Sequence, residues 1–394
     1  MSSVTSADDR VLEVLDALVR IESVNPGLDP TGSGEAEIAA YVAEWGRDAG
    51  LGVEVLEATP GRPSVVLRGG RDGGGQRLLL CGHLDTVAVT GSAGVEPRIE
   101  GDRLHGRGAY DMKAGLAAAL EACRRAAAAD VAGEVVVAAV ADEELASLGV
   151  REVLAHLDPA GIDAAVVTEP TERHLGTAHR GFVWTEVTVR GVAAHGSRPQ
   201  LGADAILAAG HLLVAFDELD QQLRDHEHPF VGPGNLHASL IDGGTGESTI
   251  PDRCTFTVER RTIPGEDLDQ VEADVADLIA RCRPDDPRIE VSARTTLHRR
   301  PLETPHDADI TEALLAAAGP ETDTVPMSYW ADSAFLSTAG IPTVLYGPEG
   351  EGAHADIEWV SRSGTVTATR VLTDLAENVC NRTRPSGGRP RPLP

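Results

Sequence analysis

Positive charge is what this chain has least of, and lysine above all: Lys113 stands alone against 33 arginines in 394 residues. With 62 acidic residues the net charge is −28. Such a balance excludes nucleic acid and anionic membrane as partners. No apolar run approaches the ~20 residues needed to cross a bilayer. Met1 to Arg10 is polar and acidic, without a basic-then-apolar signal peptide. The expectation is a soluble cytoplasmic protein. The five cysteines (Cys81, Cys123, Cys254, Cys282, Cys380) are scattered and odd in number, with no CxxC spacing. That excludes a disulfide framework and a thiolate zinc site, and leaves free thiols in a reducing compartment. A phosphate-binding GxGxxG or GxxxxGK[ST] is also missing, so Gly106-x-Gly108 is not a nucleotide loop. There are no internal repeats.

What is present is a chain long enough for two domains, with an ordinary hydrophobic content of 42%. Helical spacing covers Val11–Ile21 and Gly34–Ala49. Strand-like runs follow at Val53–Glu57, Ser64–Arg68 and Arg77–Cys81. An Ala-rich helix spans Leu116–Ala129, and buried strands are expected at Glu134–Ala141 and Ala164–Thr168. Alternation of helices with apolar strands predicts an α/β sandwich on a parallel or mixed sheet. The middle changes character. Phe182–Arg190 alternates as a half-exposed strand, followed by a helix Ala203–Arg224, strands near Gly234–Ile241 and Cys254–Arg261, a helix Glu266–Arg281 and a strand Arg288–Thr295. This β-α-β-β-α-β order is ferredoxin-like. Residues 178–295 therefore form an inserted domain, with 1–177 and 296–381 as the larger one. The larger domain resumes with a helix Asp309–Ala318, a strand Thr343–Tyr346 and a helix Val366–Asn381. The Pro-, Arg- and Gly-rich tail, 382–394, is expected to be disordered.

Five short motifs carry the chemistry: His83-Leu84-Asp85, Gly108 to Lys113, Asp142-Glu143-Glu144, Thr168-Glu169-Pro170 and Gly352-Ala353-His354. His83, Glu143 and Glu169 each follow an apolar run, at the carboxyl end where α/β sheets gather ligands. Asp111 sits at the head of the Leu116 helix, behind a loop made tight by Gly106 and Gly108. Adjacent carboxylates aimed at a sheet end repel one another, and a nearby cation removes that cost. Two histidines with three carboxylates are the usual ligand set for two zinc-type ions sharing one carboxylate. An extra glutamate beside a ligand is what metal-assisted hydrolysis needs as a proton shuttle. Zinc, cobalt and manganese all accept such oxygen and nitrogen donors. Lys113, despite its place in a motif, reads as a helix-start lysine held by packing or hydrogen bonding.

In their order along residues 10–380, these motifs resemble the di-zinc metallopeptidase family of acetylornithine deacetylase, succinyl-diaminopimelate desuccinylase, aminoacylase and glutamate carboxypeptidase. Gly82-His83-Leu84-Asp85-Thr86, the run Gly106 to Gly115, and Gly191-Val192-Ala193-Ala194-His195-Gly196-Ser197-Arg198-Pro199 carry the likeness with the acidic and Gly352 motifs. The resemblance implies a three-layer zinc-exopeptidase-like catalytic domain with an inserted lid and dimerisation domain. By matching position, it makes Asp111 the ligand bridging two ions, with His83 and Glu169 completing one site and Glu144 and His354 the other. Glu143 becomes the general acid/base, and Asp85 orients His83. A cis peptide is expected at Asp111–Met112.

The same resemblance sends His195 of one subunit into the partner's site to support the oxyanion, through a homodimer formed by the lid. It assigns a substrate-carboxylate contact to the Arg260-Arg261 stretch, with Arg261 favoured. Where many relatives carry Asn before the Val/Ile-Pro pair, this chain has Ser248-Thr249-Ile250-Pro251. The function implied is hydrolysis of an N-acyl amino acid in the manner of acetylornithine deacetylase, supported by Glu169 where aminopeptidase-like relatives tend to carry Asp. A carboxypeptidase or dipeptidase is the alternative within the family. A metal-dependent binding protein without turnover is the alternative outside it, and Glu143 beside Glu144 argues against that reading.

Overall fold

The computed structural model describes residues 7–71, 73–88, 96–282 and 285–384. Its central sheet runs, in spatial order, Gly52–Leu56, Ser64–Gly70, Glu134–Val140, Arg77–His83, Ala164–Val167, Thr343–Leu345 and Leu175–His179. The middle four of these strands are mutually parallel, and the flanking pairs are antiparallel. Parallel strands need cover on both faces, which is why these segments read as unbroken apolar runs. Leu78 and Leu80 face a core shared with the helices Ala7–Arg20, Ala36–Asp48, Ala114–Ala128, Asp309–Ala318 and Arg362–Cys380. Leu79, Val136 and Ala138 point the other way and are equally buried, on the side covered by the helices Leu148–His156 and Ser333–Thr338. The result is the expected three-layer α/β sandwich.

A small antiparallel sheet joins Arg98–Glu100, Arg103–His105, Trp359–Ser361 and Gly350–Glu351. Its effect is to bring the loop before Asp111 next to the loop around His354, although about 240 residues of chain lie between them. The last helix starts at Arg362, four residues earlier than its apolar periodicity suggests. Ser361 caps it, its hydroxyl accepting from the Gly364 N–H at 2.9 Å.

Ala178–Glu303, with Pro326–Trp330, forms a second compact unit. Its four-stranded antiparallel sheet runs Asn235–Gly243, Arg253–Thr262, Gly181–Arg190, Glu290–Arg299. Numbered by sequence within the unit, that order is 2-3-1-4, the ferredoxin-like arrangement anticipated from the β-α-β-β-α-β pattern. The helices Ala205–Arg224 and Leu268–Arg281 cover one face through Val187, Val189, Phe256 and Val258. Asp204 and Asp267 cap them. The strand beginning near Arg288 extends to Arg299, beyond the Thr295 expected from composition.

One expectation is corrected at the C-terminus. Disorder was expected from Arg382, yet the Arg382 carbonyl accepts from Gln76 N–H at 3.0 Å. The Arg384 N–H donates to the Gly74 carbonyl at 2.9 Å, and its guanidinium reaches Asp163 at 3.2 Å. These three residues are pinned because the loop at Gly74–Gln76 presents unmet backbone groups to them. The remainder of the expected tail, 385–394, lies outside the described residues.

Candidate active site

His83 ends the strand Arg77–His83, Glu143 and Glu144 follow Glu134–Val140, and Glu169 follows Ala164–Val167. These are adjacent parallel strands, so their carboxyl ends place the side chains side by side. Asp111 arrives from the non-helical turn Ala109–Lys113, which opens the helix Ala114–Ala128. The Asp111–Met112 peptide is cis, as the family resemblance anticipated. Two glycines let the backbone close around Glu169. A Cβ on Gly115 would lie 1.7 Å from the Thr168 carbonyl oxygen, and one on Gly347 would lie 2.2 Å from that of Glu169. Neither position can carry a larger residue without moving Glu169.

The Asp111 carboxylate faces two histidines at once. One oxygen lies 3.1 Å from His83 Nε2 and the other 3.5 Å from His354 Nε2. Glu169 stands 3.9 Å from His83 Nε2, and Glu144 stands 2.9 Å from His354 Nε2. Candidate donor atoms of His83, Asp111 and Glu144 fall within 4.8 Å of one another, as do those of His83, Glu143 and Glu169. His83 Nδ1 donates to the Asp85 main-chain carbonyl at 2.8 Å, which leaves Nε2 to face the Asp111 oxygen. Two atoms with lone pairs meet at that distance only with a proton or a cation between them, and a metal ion would take the place of the proton on Nε2. Oxygen and imidazole donors of this kind fit divalent metal ions.

Behind this cluster lies a second layer of polar contacts. The Asp85 carboxylate stands 3.8 Å from His83 Nδ1 and accepts instead from the Glu143 and Glu144 N–H groups at 3.1 and 3.2 Å. Asn25 Nδ2 donates to it at 2.7 Å and to Asp142 at 3.0 Å. Asp85 therefore clamps the backbone that presents both glutamates, while its own carbonyl holds His83. Asp142, the first of the three adjacent carboxylates, pairs with the Arg62 guanidinium at 2.8 Å. Glu358 is 4% exposed and accepts from four donors. These are the N–H groups of Gly108, Tyr110 and Asp111, at 2.8, 2.8 and 3.0 Å, and the Arg107 guanidinium at 2.6 Å.

The electrostatics follow from crowding acids in a half-buried space. Burial pushes Glu143 well above the ordinary carboxyl range, and the charge of buried Asp332 adds to it. Burial likewise raises Glu169 and Glu144. Burial would lower His83, but its hydrogen bond to Asp111 and the surrounding carboxylates win and hold it well above its usual value. His354 is raised by its hydrogen bond to Glu144. Burial would raise Asp111, yet His83 and His354 hold it below the usual range.

The cluster is built wholly within the first unit. His195 and Arg261 belong to the second. His195 is exposed and sits in the two-residue pairing of Ala194–His195 with Thr249–Ile250. The Ser197 N–H donates to His195 Nδ1 at 3.2 Å, which leaves the ring proton on Nε2 as a hydrogen-bond donor. Strand alternation separates Arg260 from Arg261. Arg260 faces the helices and is tied to Asp274 at 2.6 Å and to Glu266. Arg261 lies on the opposite face, its guanidinium 5.5 Å from the centre of the Phe182 ring. Lys113 is buried, and its ammonium donates to the Ile21 carbonyl at 2.8 Å. Asn25, Asp332 and Glu358 carry no signal in the sequence. None lies in a motif, and only Glu358, just after the His354 loop, has a position that could have drawn attention.

A mixed sheet with clustered acids and histidines at its strand ends, and a ferredoxin-like unit inserted in the chain, is the α/β architecture of zinc-exopeptidase-like proteins. Comparison narrows it: the family described as peptidase family M20/M25/M40 matches residues 79–378, and the chain belongs to that family of hydrolases. It is 31% identical over 382 residues to an acetylornithine deacetylase of Vibrio atlanticus (strain LGP32), covering 94% of this chain and 98% of the relative. The aminopeptidase PepT of Bacillus cereus ATCC 10987 shares the fold with a TM-score of 0.75 at 18% identity, covering 94% and 98% of the two chains. The Bacillus subtilis YXEP protein, a dinuclear metal binding peptidase, does so with a TM-score of 0.73 at 16% identity, covering 95% and 98%.

Proposed function

We propose that the protein is a two-metal amidohydrolase that removes the acyl group from an N-acyl amino acid, in the manner of acetylornithine deacetylase. The observation that carries this reading is the Asp111 carboxylate, with one oxygen toward His83 and the other toward His354. His83, Asp111 and Glu169 would hold one ion, and Asp111, Glu144 and His354 the other. Zinc is the first choice, with cobalt and manganese accepted by the same donors. When bound, the two ions supply Lewis acidity that acidifies water and polarises the scissile carbonyl. Glu143 takes a proton from the attacking water and returns it to the leaving nitrogen. Asp85 and Asn25 keep Glu143 and Glu144 in register. Arg261, left without the tight carboxylate pairs that occupy Arg260, receives the substrate carboxylate.

His195, as an Nε2–H donor, supports the oxyanion in the site of a second copy. The surface for that copy is the edge strand Asn235–Gly243 with the neighbouring helix Ala205–Arg224. Leu207, Val214, Leu240 and Ile241 are exposed there by 61–69%. An open edge strand beside an apolar helix face favours pairing with an identical edge.

The test is a panel of N-acetyl amino acids and dipeptides, with metal content measured in parallel. Release of free amine from N-acetylornithine and its analogues, abolished by chelation and restored by zinc or cobalt, is the expected result. Faster cleavage of dipeptides would move the assignment to the peptidase alternative. A fully metal-loaded protein that hydrolyses nothing in the panel would leave the binding-protein reading standing.

A further inference from the structure

Large aromatic side chains are scarce in this chain, with 4 Trp and 5 Phe, yet two of the tryptophans and one phenylalanine gather in the second unit. The helices Ala205–Arg224 and Leu268–Arg281 cover one face of its sheet through Val187 and Val189. Alternation along Gly181–Arg190 turns Phe182 and Trp184 to the opposite face. Strand register puts Arg261 and Arg299 on either side of Phe182, and Glu259 and Leu297 on either side of Trp184. The Phe182 ring centre lies 5.7 Å from that of Trp184 and 6.1 Å from that of Trp330, the second pair edge to face. Trp184 is the only Phe or Trp among the described residues that is exposed, at 39%. Its Nε1–H donates to Glu259 at 2.8 Å, which holds the ring by its edge. An exposed ring fixed in place and backed by two more is apolar area kept ready for a partner group.

The charges around the rings decide which group suits them. The Arg261 guanidinium stands 5.5 Å from the Phe182 ring centre, and that of Arg299 stands 5.3 Å from the Trp330 ring centre. The chain's own arginines thus take the cation–π positions on these two rings. Glu259 holds Trp184 and lies 3.6 Å from Arg261. Glu186, further along the same strand, pairs with Arg294 at 2.9 Å. A cationic side chain laid here would meet two guanidiniums and find both carboxylates engaged. A neutral ring would stack on Trp184 at no such cost.

We propose that Trp184, backed by Phe182 and Trp330, is the subsite for the side chain of the substrate amino acid, and that it selects an aromatic side chain over a cationic one. This rests on the reading above in which Arg261 holds the substrate carboxylate. The side chain springs from the carbon that bears that carboxylate, so it is the first part of the substrate to reach the rings beside Arg261. The test uses the metal-loaded enzyme and the ratio of kcat/KM for N-acetylphenylalanine to that for N-acetylalanine. Wild type should favour the aromatic substrate, over N-acetylornithine as well. The ratio should fall about 10-fold in Trp184→Ala and be kept in Trp184→Phe. If dipeptides are cleaved instead, the deacylase reading fails, and the same ratio is read on Gly-Phe against Gly-Ala, whose C-terminal carboxylate Arg261 would hold. If nothing is turned over, the same ratio is read from affinities measured by calorimetry. A wild type without preference for the aromatic side chain, or a ratio that Trp184→Ala leaves as it was, overturns the proposal. The second result together with an altered oligomeric state would assign the rings to a subunit contact instead.

Discussion

Replacing Glu358 by Gln keeps the shape of the side chain and removes its charge and half its acceptor capacity. One Glu358 oxygen accepts from the Gly108 N–H at 2.8 Å and Arg107 at 2.6 Å, and the other from the Tyr110 and Asp111 N–H groups at 2.8 and 3.0 Å. Whichever oxygen becomes NH₂, two donors then face a donor. If the amide turns toward Arg107, a guanidinium with 6% side-chain exposure loses its counter-charge. Breaking a buried pair costs about 3–5 kcal/mol. If it turns the other way, two charge-assisted hydrogen bonds go at about 1.5–3 kcal/mol each. Either way, folding stability falls by about 3–6 kcal/mol, and the turn bearing Asp111 loses its anchor. Outer partners of this kind are worth about 10–100-fold in metal affinity, or about 1.4–2.7 kcal/mol. The assay is competitive metal titration alongside denaturant unfolding, with Glu121→Gln as control. Glu121 is a fully buried carboxylate that pairs with Arg124 at 2.7 Å and Arg125 at 2.9 Å and touches none of the site. The control should lose stability and keep its metals. Metal affinity in Glu358→Gln equal to wild type, despite lower stability, would refute the idea that Glu358 positions Asp111.

Glu143→Ala should keep both ions and lose nearly all turnover, whereas Glu144→Ala should lose an ion; metal analysis of the two variants showing the opposite split would mean that the pair is assigned in reverse. His195→Ala should lower kcat by orders of magnitude with metals intact, because oxyanion support is typically worth about 3–4 kcal/mol. Mixing it with Glu143→Ala should restore part of the activity, and no recovery after proven subunit exchange would place His195 in cis or outside the mechanism. Burial depresses His179 to about 4, so it stays neutral in the fold where the unfolded chain, at 6.5, takes up a proton. Above pH 6.5 it contributes no slope. From about 6.5 down to about 4 this one group should lower stability by about 3 kcal/mol, and below that its own contribution grows no further. Denaturant unfolding across this range should lose that slope in His179→Gln, and an unchanged slope would mean that His179 is not the group responsible.

Much of this protein is legible without coordinates, and the reason is local. The buried parallel strands reveal themselves because both of their faces must be apolar, so Leu78-Leu79-Leu80-Cys81 and Val135 to Val140 stand out as unbroken runs. The motifs that follow them place His83, Glu143 and Glu169 at strand ends by chain connectivity alone. Alternation in Phe182–Arg190 and the β-α-β-β-α-β order carry the second unit's topology in the same way. The contacts behind the cluster are not local, and no periodicity encodes them. Glu358 meets Gly108–Asp111 across about 250 residues because a small antiparallel sheet joins Arg103–His105 to Trp359–Ser361. Asn25 reaches Asp85 and Asp142 from a loop that has no motif of its own. Asp85 is a motif residue, yet only the fold makes its carboxylate a clamp on the Glu143 and Glu144 backbone and leaves its carbonyl to hold His83. The choice between Arg260 and Arg261 lies between these cases. Strand parity puts them on opposite faces, but only the packed helix Leu268–Arg281, with Asp274 in reach, decides which face is covered. Sequence alone determined which donor atoms this chain owns and the strand ends that carry them. Tertiary structure decided which carbonyl, carboxylate or guanidinium stands behind each one, because those partners meet only once distant segments pack.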